Sequence, residues 1–137
     1  MRFEGTIRKE GKFWVVEIPA FDAATQGRTK KEGYAMAKDL LKTMADTRGF
    51  EVTVHPKGKE AFEVEANDVK TLIALLLRRQ RERQGLTLAE AAERLGQSSR
   101  NAYARYEQGK AVPTIDKLEQ LLRLIAPEQR IIWRVAA

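Results

Sequence analysis

"LTLAEAAERLGQSSRNAYARYEQGK", Leu86 to Lys110, decides how the second half of this chain folds. Thr87-Leu88-Ala89-Glu90 has the T-x-x-E form in which a threonine hydroxyl and a glutamate carboxylate satisfy the free amides of a helix start. Leu88, Ala91, Ala92 and Leu95 then recur at helical spacing as one buried face. After Gly96-Gln97-Ser98 a second helix carries Tyr103 and Tyr106 on one side, and Gly109 stops it. Two short helices joined by so tight a turn form a helix-turn-helix, whose second helix enters the DNA major groove.

The residue types on that second helix suit the task. With the tyrosines packed on the Leu88–Leu95 helix, Arg100, Asn101, Ala104 and Arg105 are expected on the open side. Arginine can grip guanine and asparagine adenine through paired hydrogen bonds. Ser98 and Ser99 offer a helix cap and hydroxyls for a phosphate, and Thr87 and Lys110 complete the expected DNA-contacting set.

Outward from this stretch, residues 66–137 show helical periodicity over most of their length. Helices are expected at roughly 68–84, opened by Asn67 or Asp68, at 88–95, at 99–108, and at 114–125 after Pro113. Ile115, Leu118, Leu122 and Ile125 form the expected buried stripe of the last one, and the tail "RIIWRVAA" leans to a strand. The basic run "LLLRRQRERQ" in front of the helix-turn-helix is a candidate for phosphate contact.

Residues 1–65 have a different character. "RFEGTIRK" and "KFWVVEI" flank Glu10-Gly11 as a hairpin, and the apolar residues on both faces of the second run point to a central strand. Thr29-Lys30-Lys31-Glu32 opens a helix with Tyr34, Ala37, Leu41 and Met44 on one face, expected to end at Gly49. "FEVTVHP" alternates as a strand, and "AFEVEA" is a candidate for one more across Lys57-Gly58. The expected class is α+β: a β-β-β-α-β domain over 1–65, then an all-α domain over 66–137.

Composition narrows the function. The 137-residue chain has no cysteine and one histidine, which excludes thiol catalysis, disulfides and thiolate or multi-histidine metal sites. An all-carboxylate Mg²⁺ site is the one metal option left, and no cofactor is expected. The net charge of +6 is uneven. Residues 1–65 hold 12 Lys/Arg and 11 Asp/Glu, a balance of +1, and residues 66–137 hold 13 and 8, a balance of +5. The basic excess sits with the helix-turn-helix, as a polyanion partner requires. Without an apolar stretch of membrane length or a signal peptide, a cytoplasmic protein is expected.

Two resemblances follow from these residues. The run from Arg78 to Thr114 resembles the helix-turn-helix of the XRE/Cro repressor superfamily through Arg81, Gly85, Leu86, Thr87, Ala92, Leu95, Gly96, Ser99, Tyr106, Glu107, Gly109, Lys110 and Pro113, with a turn one residue longer than usual. This resemblance implies an ion pair between Arg81 and Glu107. Residues 8–44 are similar to the HicB antitoxin domain, a degenerate ribonuclease H-like fold, through Glu10-Gly11, Phe13 to Pro19, Thr25 to Thr29, and Glu32 through Ala37 to Asp39-Leu40. Phe21-Asp22-Ala23 replaces that family's second proline and glycine, and Gly33 replaces its alanine.

Together the resemblances imply the antitoxin of a type II toxin-antitoxin pair. It would bind a small basic HicA-like mRNA-cleaving toxin and cover its active site, and as a homodimer or higher oligomer it would bind operator DNA and repress its own operon. The carboxylates of the first half are scattered, with no acidic pair on the central strand, so a nuclease is not expected. The rival is a ligand-sensing helix-turn-helix transcription regulator without a toxin partner.

Overall fold

The protein, a computed structural model, is described over residues 1–96 and 100–135. Its first half is a five-stranded sheet in the order β3-β2-β1-β5-β4. The strands are β1 (Phe3–Glu10), β2 (Phe13–Ile18), β3 (Ala23–Gly27), β4 (Val52–Lys57) and β5 (Ala61–Ala66). Every pairing is antiparallel. Glu10 opposes Phe13 across a two-residue turn in which Gly11 takes the left-handed φ of 61°. β5 is the further strand that "AFEVEA" suggested, so the half runs β-β-β-α-β-β.

Alternation divides the sheet into two faces. Ile7, Val16, Ile18, Val52, Phe62 and Val64 are buried on the inner face. Helix α1 (Lys30–Ala45), capped by the Thr29 hydroxyl, packs there through Ala37 and Leu41. Its first turn comes unusually close to the end of β3. A Cβ on Gly27 would fall 2.5 Å from the Gly33 amide nitrogen, and one on Gly33 would fall 2.9 Å from Ile7 Cδ1. The two glycines are therefore what lets this helix settle on the sheet. α1 stops at Asp46, which takes the left-handed cap conformation three residues before the expected Gly49.

Among the described residues, the outer face carries no helix. Phe13 and Val15 of β2 point there, and Phe13 is exposed, so the two apolar sides of β2 do not mean burial on both. Glutamates also line this face: Glu4 and Glu10 on β1, Glu17 on β2, and Glu63 and Glu65 on β5.

Helix α2 (Val69–Arg83) starts at Asp68, whose carboxylate accepts from the Thr71 hydroxyl at 2.6 Å and the Thr71 amide at 3.3 Å. Those bonds, the hydroxyl first, hold the Asp68 carboxyl below its usual range. Every residue from Thr71 to Leu77 is buried, which a one-sided amphipathic helix never achieves. α2 is enclosed on two sides. α1 and the short turn Pro19–Phe21 of the first half cover one, and helices of the second half cover the other. A single apolar cluster runs from Ile7 through Leu76 to Leu121. The composition change expected near residue 66 falls at the β5–α2 junction, but the core does not divide there.

The helices of the second half that follow are α3 (Leu88–Arg94), α4 (Arg100–Glu107) and α5 (Ile115–Ile125), and α4 and α5 are the ones that pack on α2. The buried stripe of α5 is Leu118, Leu121 and Ile125; Ile115, expected inside, is 74% exposed. The tail through Val135 forms no strand.

Gly27→Ala is expected to destabilise the protein by about 1 to 3 kcal/mol, the usual cost of overpacking. The added methyl would meet backbone atoms of α1, which cannot swing aside as a flexible side chain does. An unchanged urea midpoint would mean that α1 and β3 stand further apart than this contact requires.

Candidate DNA-binding face

A recognition helix must be held at a fixed angle before its outer side chains can read anything. Here α4 is held by one buried aromatic and one buried ion pair. Tyr103 is fully buried, and Tyr106, half-buried, packs against the same core. Beyond Tyr103, Arg81 of α2 reaches Glu107 of α4. Arg81 Nε donates to the Glu107 carboxylate at 2.8 and 3.1 Å, and Nη2 donates at 2.9 Å. Arg81 Nη1 adds a bond of 2.7 Å to the Leu86 carbonyl. The Glu107 bonds raise the Arg81 pKa further, so the guanidinium stays charged although largely buried. The Tyr103 hydroxyl sits in the field of this pair but makes no well-formed hydrogen bond among the described residues. Burial first, then the Glu107 carboxylate, pushes the phenol far above its normal range.

The start of α3 is fixed locally. Thr87 Oγ1 accepts from the Glu90 amide at 3.1 Å, and Glu90 Oε1 accepts from the Thr87 amide at 3.2 Å. Thr87 remains exposed at that helix start. The end of α4 is a Schellman turn, with the Lys110 amide donating to the Arg105 carbonyl at 2.9 Å and the Gly109 amide to the Tyr106 carbonyl at 3.2 Å. Gly109, at φ 68°, faces the side of α2: Lys70 Cγ and Ala74 Cβ lie 4.0 Å from where its Cβ would be.

Of the expected contact set, Arg100, Asn101 and Arg105 are exposed on α4, and Lys110 is exposed just after it. Ala104 departs from expectation. It is 7% exposed, so it packs inward beside Tyr103 and offers nothing to a base. At 100° per residue Ala104 follows Tyr103 closely enough to share its buried side. Ser98 and Ser99 lie outside the described residues.

Much of the basic run on α2 is engaged within the chain. Arg78 donates to the Met44 carbonyl. Arg79 donates to the carbonyls of Phe21 and Asp22, each at 2.8 Å, and Gln80 to that of Ala20 at 2.8 Å. These residues bind the first half to α2, and Arg81 on the following position binds α4. Sequence spacing could not separate such a clamp from a solvated basic face, because most of its acceptors are backbone carbonyls nearly 60 residues away. It also could not show that Lys70, at the far end of α2, has its stem against the turn that carries Lys110.

Among the described residues, no three His, Asp or Glu side chains cluster as metal ligands, and no helix is long and apolar enough to cross a membrane. The family model of a helix-turn-helix domain matches residues 72–126. A comparison with curated proteins finds no match. The second half thus carries a helix-turn-helix domain that begins inside α2 and ends with α5.

Glu107→Ala leaves the Arg81 charge buried without its partner and is expected to cost about 3 to 5 kcal/mol of stability. A paired Arg81→Met, Glu107→Leu substitution should recover most of that loss. Chemical denaturation of these variants and of Arg81→Met alone checks this, and additive losses would show that the two side chains act independently.

Proposed function

We propose that this protein is the antitoxin of a type II toxin-antitoxin pair that represses its own operon. The observation that carries the DNA-binding part is α4 itself. It is fixed from behind by Tyr103 and the Arg81–Glu107 pair, and it turns Arg100, Asn101 and Arg105 outward. Arg100 and Asn101 would read base edges in the major groove. Arg105, Lys110 and the exposed Thr87 would meet phosphates, and Ser98 and Ser99 would do so at the start of the recognition helix. Lys70 is a further cation on this side of α2. Paired copies would place two such helices about one turn of DNA apart, so the operator is expected to be palindromic.

The toxin-binding part rests on the first half's resemblance to HicB and on the character of its open sheet face. The outward glutamates Glu4, Glu10, Glu17, Glu63 and Glu65 are each paired with basic side chains of the chain itself, which a basic partner would exchange for its own, and exposed Phe13 offers an apolar anchor among them. A small basic HicA-like ribonuclease laid on this face would have its active site covered, and inhibition would need no chemistry from the antitoxin. The scattered carboxylates support a binding role rather than an enzymatic one.

Arg100→Ala is expected to weaken operator binding by about 1 to 3 kcal/mol and to relax the preference at the base it reads. Lys110→Ala should weaken all DNA sequences alike and lower the slope of log affinity against log salt by about one. Titration of labelled operator and of scrambled duplex at several salt concentrations separates the two, and an unaltered affinity and preference in Arg100→Ala would remove that residue from the interface. Co-expression with the neighbouring short reading frame should yield a stable complex and abolish the toxicity of that product. A protein that binds DNA but captures no such product would instead be a regulator of the ligand-sensing kind.

A further inference from the structure

The +1 balance of the first half conceals a separation of charge. Residues 9–12, 27–33 and 57–60 hold seven Lys/Arg and three Asp/Glu, a balance of +4, whereas the other residues of 1–65 hold five and eight, a balance of −3. The three stretches are the turn between β1 and β2, the passage from β3 into α1, and the turn between β4 and β5. Strand register brings them to one end of the sheet. Lys9 opposes Trp14, and Trp14 opposes Gly27, across three neighbouring strands. The Ile7 amide donates to the Glu60 carbonyl at 2.9 Å, which sets the β4–β5 turn alongside. Lys30, from the first turn of α1, places its Nζ 5.6 Å from the centre of the Trp14 ring and donates to the Lys59 carbonyl at 2.5 Å, which closes the three stretches into one surface.

The fold gains little from these cations. On the outer face the basic side chains are paired with glutamates, but at this end Lys9, Lys12, Arg28, Lys31 and Lys59 are exposed and enter no ion pair among the described residues. Of the three acids here, Glu10 is taken by Arg8 at 2.7 Å. Like charges gathered in this way repel one another, a cost that an anionic partner removes.

The chemistry of the surface selects the anion. Six of its seven cations are lysines, which meet phosphates as mobile point charges without the fixed fork by which arginine selects carboxylates. Trp14 is half-buried against the core under Lys30, and exposed Phe13 lies on the opposite face, so the surface lacks the open aromatic platform of a single-strand binder. From β3 to β5 it spans three strand spacings, roughly 14 Å, enough to meet the phosphates on both rims of a DNA major groove about 12 Å wide. α1 runs from this end to Met44, where Arg78 of α2 holds it, so about one helix length, roughly 20 Å, separates the surface from α2. We propose that this end of the sheet is a second contact surface for duplex DNA, one that holds phosphates without reading sequence and acts apart from α4. It goes beyond the base-reading assignment and does not rest on it.

Arg100→Ala with Lys110→Ala weakens the α4 contact, and in that background the chain should still bind a scrambled duplex. Adding Lys12→Gln, Lys31→Gln and Lys59→Gln, one from each stretch, should lower the slope of log affinity against log salt by about 2 to 3, at about 0.9 per phosphate contact. Lys38→Gln, Arg48→Gln and Arg123→Gln remove the same charge from exposed positions elsewhere and should lower it by less than about one. With α4 unaltered, the three glutamines at this end should leave the ratio of operator to scrambled affinity unchanged, and the urea midpoint of each variant reports that it is folded. If Arg100→Ala alone leaves operator binding intact, the base reading fails while this measurement stands. No duplex binding in the α4 background, equal slope losses in the two triple variants, a larger loss with single-stranded RNA than with duplex, or an unchanged slope, which would give the surface to an acidic protein instead, would each overturn the proposal.

Discussion

Helix α2 is the element on which both halves depend, and the constraint it obeys is burial on two sides. Thr71 to Leu77 is seven residues without an exposed position, so the helix cannot face solvent without losing one of its two coats. Leu72, Leu76 and Leu77 are each essentially fully buried. Burial of that completeness stabilises by roughly 1.5 to 3 kcal/mol per side chain. Halves of about 65 to 70 residues are near the lower limit for a self-sufficient core. A shared helix removes the difficulty, because each half completes its core on its own side of the same rod.

The last turns of α2 convert that apolar contact into a defined geometry. Apolar surfaces can slide, but a guanidinium bound to two carbonyls cannot. Arg79 on Phe21 and Asp22, with Gln80 on Ala20, fixes the first half, and Arg81 on Glu107 fixes α4. The cost of desolvating Arg81 is offset by four donated bonds and a bidentate partner. The orientation of α4, the second helix of the helix-turn-helix, is therefore set by the same turn that holds the sheet domain.

Local chemistry was legible in the sequence and distant chemistry was not. Capping residues act within four positions, so Thr29 and Thr87 could be recognised and the α2 cap narrowed to Asn67 or Asp68; Thr29, Asp68 and Thr87 each accept a first-turn amide. Strand alternation likewise located β1, β2, β4 and β5. Periodicity failed where a helix is short or its neighbours are incomplete. In α4 the inward side is wide enough to take Ala104 with Tyr103, and in α5 the first turn projects past the core, which leaves Ile115 outside. The tail has the composition of a strand, yet composition does not supply a pairing partner. The arginines of α2 could be counted but not assigned, since their acceptors are carbonyls brought in from the other half of the chain.

On the proposed function, the clamp on α2 would also have a geometric result for the promoter. Because the sheet and the helix-turn-helix are fastened to one rod, a protein gripped by the sheet would be carried as a rigid passenger at a set distance and azimuth from the double helix. Two copies on one palindrome would place two passengers symmetrically about its dyad. The stretch of promoter shadowed from the polymerase would then be longer than the footprint of the reading heads alone, and would grow or shrink with the cargo while the base contacts stayed the same.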